Sequence, residues 1–202
     1  MSGFPDKIVL ASSNAGKIKE LARLLDALGV EVVAQSDLGV TDAVESGVTF
    51  AENSLIKAEH AAIATGLPAI ADDSGLAVDA LDGAPGVYSA RYAGPDADDE
   101  RNNDKLLAAL DGVPDAARGA AFHCVATYVA PADGAMLQAT GVWRGAILPA
   151  RQGSGGFGYD PIFLDPQSGT SSAALTPAQK SARSHRGQAL RELIEQLQKH
   201  YA

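Results

Sequence analysis

The sequence predicts one compact α/β domain over residues 1–202, and three observations carry that expectation. Short β-branched or alternating apolar runs, suited to strands, interleave with stretches whose apolar residues recur every three or four positions, suited to helices. Capping residues stand where those helices should begin. No internal repeat, linker or low-complexity run interrupts the chain.

Taken in order, Lys7 to Ala11 reads as a strand by its β-branched content. The tight polar loop Ser12-Ser13-Asn14-Ala15-Gly16 follows, and Lys17 opens a helix. Ile18, Leu21, Leu24, Leu25 and Leu28 repeat along it at helical spacing, with Gly29 as the stop. Glu31 to Ala34 reads as a second strand, and Asp37 to Gly47 as a polar loop carrying Asp42 and Glu45. Thr49 and Glu52 have the spacing of a capping box, opening a helix that runs to about Thr65 and stops at Gly66. Asn53 and Lys57, four apart, share one face of it.

Leu67 to Ala71 is a short apolar run, read as a buried strand whose end opens into a polar loop at Asp72-Asp73-Ser74-Gly75. Side chains alternate along extended backbone, so Asp72 and Asp73 are expected to face opposite ways. Asp98-Asp99-Glu100 places acid at the start of a helix ending near Leu110, where it favours the helix dipole. Phe122 to Val129 and Met136 to Val142 alternate as two strands joined by a turn at Pro131 to Gly134. Arg151 to Gly158 contains four glycines and neither a strand nor a helix signal. Pro161 to Leu164 reads as a short strand, Thr176-Pro177 starts a helical turn, and Ser184 caps a last helix striped by Leu190, Leu193, Ile194 and Leu197.

Composition excludes several classes. Hydrophobic residues make up 46% and charged residues 20% of the chain, ordinary globular values that argue against disorder. No apolar run is long enough to span a bilayer, and Met1 to Asp6 lacks the basic and apolar regions of an export signal. The single cysteine, Cys124, cannot form an internal disulfide, which fits a reducing cytoplasm. A net charge of −9 argues against a nucleic-acid polymer as partner. A small anion needs only a few well-placed cations and a metal.

Several constellations carry candidate chemistry. Strand, Ser12 to Lys17, then helix suits a phosphate, because free backbone N–H groups and the positive end of the dipole meet there; an ordinary polar connection with a surface lysine reads equally well. The Walker A pattern is absent, which disfavours a P-loop enzyme. Glu45, Asp72 and Asp73 could serve a divalent metal, since Mg²⁺ asks for only one or two protein carboxylates; Glu45 also reads as a solvated loop acid. In Gly153 to Asp160, glycines let backbone approach a flat ligand while the Phe157 ring lies on it; a loop that tucks Phe157 into the core is the alternative. Lys180, His185 and Arg186 bracket the last helix junction, as an anion or carbonyl site or as a solvated basic face. A Ser74-His185-Asp160 hydrolase lacks the G-x-S-x-G elbow.

Six ordered blocks together resemble the inosine triphosphate pyrophosphatase family. They are Ser12 to Lys17, Thr49 to Ala58, Ala71 to Leu76, Gly83 to Tyr92, Gly155 to Pro161 and Ser184 to Gly187. The resemblance implies an elongated mixed β-sheet flanked by helices, two lobes around a central cleft, a homodimer, and Mg²⁺-dependent cleavage of dITP, ITP and XTP to monophosphate and pyrophosphate. It implies Asp73 as catalytic carboxylate and metal ligand, with Glu45 as second ligand. Ser12, Ser13, Asn14, Ala15, Gly16 and Lys17, with Lys57, would grip the triphosphate. Ser74, Phe157, Gly158, Tyr159, Asp160, Lys180, His185 and Arg186 would line the nucleotide pocket. The family often shows a longer acidic run where Val44 and Ser46 flank Glu45 here. A hydrolase of another modified or pyrimidine triphosphate, or a non-catalytic nucleotide sensor, would be built from much the same phosphate-binding parts.

Overall fold

The computed structural model describes residues 4–25 and 29–202. The first three residues and the expected place of Leu28 in the first helical stripe lie outside them. Strands β1 (Lys7–Leu10), β2 (Glu31–Ala34), β3 (Ala69–Val78), β4 (Gly119–Ala130), β5 (Ala135–Ile147), β6 (Phe163–Asp165) and β7 (Thr170–Ser171) form a sheet of order β2-β1-β3-β4-β5-β6-β7. β1 pairs parallel with β2 and β3, while β6 pairs antiparallel with β5 and β7, so the sheet is mixed as the family resemblance implies. The helices are α1 (Ala15–Leu25), α2 (Phe50–Thr65), α3 (Asp99–Ala109), α4 (Pro177–Arg183) and α5 (His185–Tyr201).

The helix ends form where the capping residues predict. Thr49 Oγ1 accepts from the Glu52 N–H, and the Glu52 carboxylate accepts from the Thr49 N–H in return. Gly66 closes α2 with φ +68°, a conformation that costs a glycine little. Asp98 caps α3 by accepting from the Arg101 N–H at 2.8 Å. Ser184, extended at φ −63° and ψ 151°, is the single residue between α4 and α5.

The chain divides into two compact units, the first comprising Met1–Asp73, Cys124–Gly141 and Arg186–Ala202, the second Ser74–His123 and Val142–His185. In the first, Ile8, Leu10 and Ile70 of the sheet pack with Leu21 and Leu25 of α1 and Leu190, Leu193 and Leu197 of α5. The small side chains Ala58, Ala61 and Ala62 bring α2 against Val9 and Ala71. In the second, Leu76, Leu106, Phe122, Trp143 and Phe163 form a separate core, with the Phe122 and Phe163 ring centroids 4.6 Å apart. Each large apolar side chain so buried contributes about 1.5–3 kcal/mol. Among the described residues no helix is long and apolar enough to cross a membrane.

The structure corrects two local expectations. β3 does not end at Ala71; it continues through Asp72-Asp73-Ser74-Gly75 to Val78. Strand propensity disfavours Asp and Gly, but cations drawn from elsewhere in the chain pair one oxygen of each carboxylate and override it. Asp160 to Ile162 forms a turn of 3₁₀-helix, so β6 begins only at Phe163.

Candidate active site

Extended backbone at the middle of β3 sends Asp72 and Asp73 to opposite sides, and each meets its own cations. Asp72 Oδ2 lies 3.2 Å from Lys17 Nζ and 3.2 Å from Arg186 Nε, with its side chain fully buried. Arg186 continues to Glu20 Oε2 at 2.6 Å. Burial alone would raise the Asp72 carboxyl, but Lys17, Arg186 and Lys57 hold it far below the usual carboxylate range. Cys124 Sγ, 3.9 Å from Asp72 Oδ2, is buried, and burial beside that carboxylate pushes its thiol up.

Asp73 is different. Its Oδ1 accepts from Lys57 Nζ at 3.1 Å, and the same ammonium reaches Glu45 Oε1 at 2.8 Å. Burial pushes the Asp73 carboxyl above its ordinary value; Lys57 and Lys17 oppose the rise and Glu45 adds to it. Asp73 Oδ2 is buried and has no hydrogen-bond partner among the described residues. A buried carboxylate oxygen without a donor is costly.

Local sequence builds this arrangement. The Gly47 N–H donates to Asn53 Oδ1 at 2.8 Å, and the Val48 N–H to Glu52 Oε2 at 2.8 Å, so the first turn of α2 pins the loop that carries Glu45. A Cβ on Gly47 would come within 2.6 Å of Glu52 Cβ. Lys57 lies one turn beyond Asn53 on the same helix. Ser54 Oγ and Thr127 Oγ1, 2.6 Å apart and buried, tie α2 to β4.

The loop before α1 is a capped helix start. Lys17 N–H donates to Asn14 Oδ1 at 3.0 Å, and Asn14 N–H to Ser12 Oγ at 3.2 Å. Ser13, Asn14 and Ala15 are exposed and Gly16 half-buried beside them. Two of the expected anion donors are thereby engaged within the loop, and the Lys17 ammonium is drawn to Asp72.

In the second unit, Asp160 organises the glycine-rich segment. Its Oδ2 accepts from the Phe157 N–H at 2.9 Å and from Lys180 Nζ at 2.5 Å, and its Oδ1 from Ser172 Oγ at 2.7 Å. Lys180 Nζ lies 4.8 Å from the centroid of the Phe157 ring. Gly156 has φ +77°, and a Cβ there would meet Asp160 Oδ2 at 1.9 Å, so only glycine fits. Tyr159, expected among the lining residues, is buried with its hydroxyl donating to the Ser89 carbonyl at 2.8 Å. The His185 ring stacks on Phe122 at 4.7 Å and 9°. Ser74 follows Asp73 on β3, half-buried. Lys180, His185 and the 157–160 segment thus belong to one unit, whereas Arg186 is joined to Asp72 and Glu20.

The donor set fits a hard divalent cation. Glu45 and Asp73 present carboxylate oxygens around one ammonium, and among the described residues Asp73 Oδ2 has no donor to accept from. Among the described residues no three His, Cys, Asp or Glu side chains converge as a metal cage, and Mg²⁺ asks for fewer, completing its shell with water and phosphate oxygens. Sequence reasoning did not single out Glu20, which pairs with Arg186, or Asp99 and Asn103, which bond the backbone of Gly158. The spacing of Asp99 and Asn103, four apart on one helix face, was the only available signal.

Comparison with known proteins gives a consistent picture. Residues 8–196 match the family model described as the Ham1 family. The dITP/XTP pyrophosphatase of Pectobacterium atrosepticum is 57% identical over 192 residues, covering 95% of this chain and 98% of that protein. The protein of the same name from Escherichia coli (strain K12) is 56% identical over the same shares. A HAM1 protein from Coxiella burnetii matches in structure with TM-score 0.86 at 48% identity, covering 96% of this chain and 98% of that one. The Staphylococcus aureus Ham1 protein matches with TM-score 0.85 at 40% identity, covering 96% and 99%.

Proposed function

The chain belongs to the Ham1 family, and on that premise we propose that it hydrolyses non-canonical purine nucleoside triphosphates (dITP, ITP and XTP) to the monophosphate and pyrophosphate. The observation that carries this reading is Asp73, buried, held by Lys57 through one oxygen and, among the described residues, without a partner on the other. The 56–57% identity to proteins named dITP/XTP pyrophosphatase supports it.

Glu45 and Asp73 would hold Mg²⁺, which when bound supplies positive charge to the phosphate oxygens. Asp73 takes the proton from a water that attacks the α-phosphorus. The new bond is water oxygen to phosphorus; the bond broken joins the α-phosphorus to the bridging oxygen, which leaves with pyrophosphate. Lys57 orients that carboxylate, and Ser12 to Lys17 with Lys57 hold the triphosphate at the positive end of α1. Asp72 keeps Lys17 in place.

The base is read by the second set. On the family resemblance, Phe157 lies on the purine, Gly158, Asp160 and Ser74 meet its edge, Tyr159 and Lys180 support that segment from behind, and His185 or Arg186 supplies a donor for a 6-keto oxygen. Adenine offers an amino group there and would leave a donor unpaired, a penalty large enough to discriminate. We further propose a cytoplasmic homodimer with no nucleic-acid partner, on the family resemblance, the single cysteine and the net charge of −9. A panel of purified triphosphates with Mg²⁺, with pyrophosphate resolved from orthophosphate, tests the activity. Pyrophosphate from dITP, ITP and XTP is expected; binding without release would make the protein a sensor, and release from pyrimidine triphosphates alone would make it a different hydrolase.

A further inference from the structure

The glycine-rich segment is fastened at both ends to the first two turns of α3. At its start, Arg151 donates to the Glu100 carbonyl at 3.0 Å and meets the Asp104 and Glu100 carboxylates at 2.8 and 3.1 Å. At its end, the Gly158 N–H donates to Asp99 Oδ2 at 2.6 Å, and the Gly158 carbonyl accepts from Asn103 Nδ2 at 2.9 Å. Asn103 Nδ2 also donates to the Asp99 carbonyl at 2.8 Å, so one amide joins both residues to the loop.

The consequence falls on Phe157. The peptide before it is held through the Phe157 N–H by Asp160, and the peptide after it through the Gly158 N–H by Asp99. Two fixed peptide planes set φ and ψ of the residue between them, and with them the direction of its Cα–Cβ bond. The Phe157 carbonyl also accepts from the Asp160 N–H at 3.3 Å and the Gly155 N–H donates to the Ala173 carbonyl; the α3 contacts add the bonds on both sides of Gly158, whose own backbone restricts it little. Asn103 is fully buried, and its Oδ1 has no partner among the described residues. An apolar side chain would relieve that cost, so the residue present is the one whose Nδ2 reaches Gly158.

We propose that Asp99 and Asn103 are positioning residues for base recognition: Asp99 through the Phe157–Gly158 peptide, and Asn103 through the Gly158–Tyr159 peptide that follows it, aim the Phe157 ring without touching the nucleotide. The inference rests on the reading of the 157–160 segment as the base site. Preorganising the ring lowers the ordering cost of binding, so the effect belongs in affinity for the base and not in turnover.

The test is steady-state kinetics with dITP and Mg²⁺ alongside inhibition by inorganic tripolyphosphate, which has no base. Asp99→Ala and Asn103→Ala are expected to raise KM about fivefold or more, as loss of a hydrogen bond to a fixed loop does, with kcat and tripolyphosphate inhibition little changed. Asp99→Asn keeps an oxygen that accepts from Gly158 and is expected to stay near the parent KM. An unchanged KM in Asp99→Ala, whose exposed side chain leaves the core intact, overturns the proposal, and so does an equal weakening of tripolyphosphate. Phe157→Ala separates the two readings. If it raises KM while Asp99→Ala and Asn103→Ala do not, only the positioning role falls; if it too leaves KM unchanged, the base-site reading falls with it.

Discussion

Lys57 Nζ lies 3.1 Å from Asp73 Oδ1 and 2.8 Å from Glu45 Oε1. One ammonium therefore holds together two carboxylates, and it opposes the rise that burial imposes on the Asp73 carboxyl. Burial would lower the Lys57 ammonium, but Asp73, Asp72 and Glu45 raise it instead. The lysine stays charged, and Asp73 stays aimed.

Asp73→Asn keeps the shape of this arrangement and removes the proton acceptor. It is expected to melt close to the parent temperature while losing about a hundredfold or more of dITP turnover. Pyrophosphate release measured beside a thermal melt checks both halves, and retained turnover with Mg²⁺ would remove Asp73 from its role.

Asp72 is expected to behave in the opposite way, through stability. Removing it leaves Lys17 and Arg186 without their shared carboxylate, a change that typically costs about 3–5 kcal/mol for a buried pair. Urea denaturation of Asp72→Ala reads this directly. Because its carboxyl is held below the ordinary value, its contribution is complete above about pH 4, where an unfolded aspartate ionises, and declines as pH falls toward the folded value. The parent protein is therefore expected to lose more stability on acidification than Asp72→Ala does. Parallel acid limbs would contradict this.

Glu45 is expected to report on the metal. Glu45→Ala leaves Asp73 and Lys57 in place, so the Mg²⁺ concentration for half-maximal activity is expected to rise about tenfold, with activity recovered at high Mg²⁺. A Mg²⁺ titration at saturating dITP measures it; an unchanged midpoint would assign the ligand elsewhere.

Lys17→Ala removes the point charge at the start of α1 and is expected mainly to raise KM for the triphosphate, by about tenfold. Tripolyphosphate inhibition is expected to weaken in step, since the loss is on the phosphate side. An unchanged KM would mean that Lys17 serves Asp72 alone.

Much of this was legible in local sequence. The capping box at Thr49, the stop at Gly66, the helix starts at Thr176-Pro177 and Ser184 and the apolar stripe of α5 are written in residues a few positions apart, and local sterics and hydrogen bonding decide them. The opposite facing of Asp72 and Asp73 followed from the pleat once the backbone was extended. The reach of β3 was not legible, because its mid-strand carboxylates read as a turn until their partners are known.

What the sequence by itself determined, then, is which segments become strands and helices and that acid, lysine and glycine fall at their junctions. What only the tertiary structure decided is which charge serves which. Arg186 joins Asp72 across 114 residues of sequence, and Asn103 meets Gly158 across 55. The physical reason is range: propensity and capping act within one turn of chain, whereas an ion pair forms between whichever side chains burial brings within a few ångströms and strips of water.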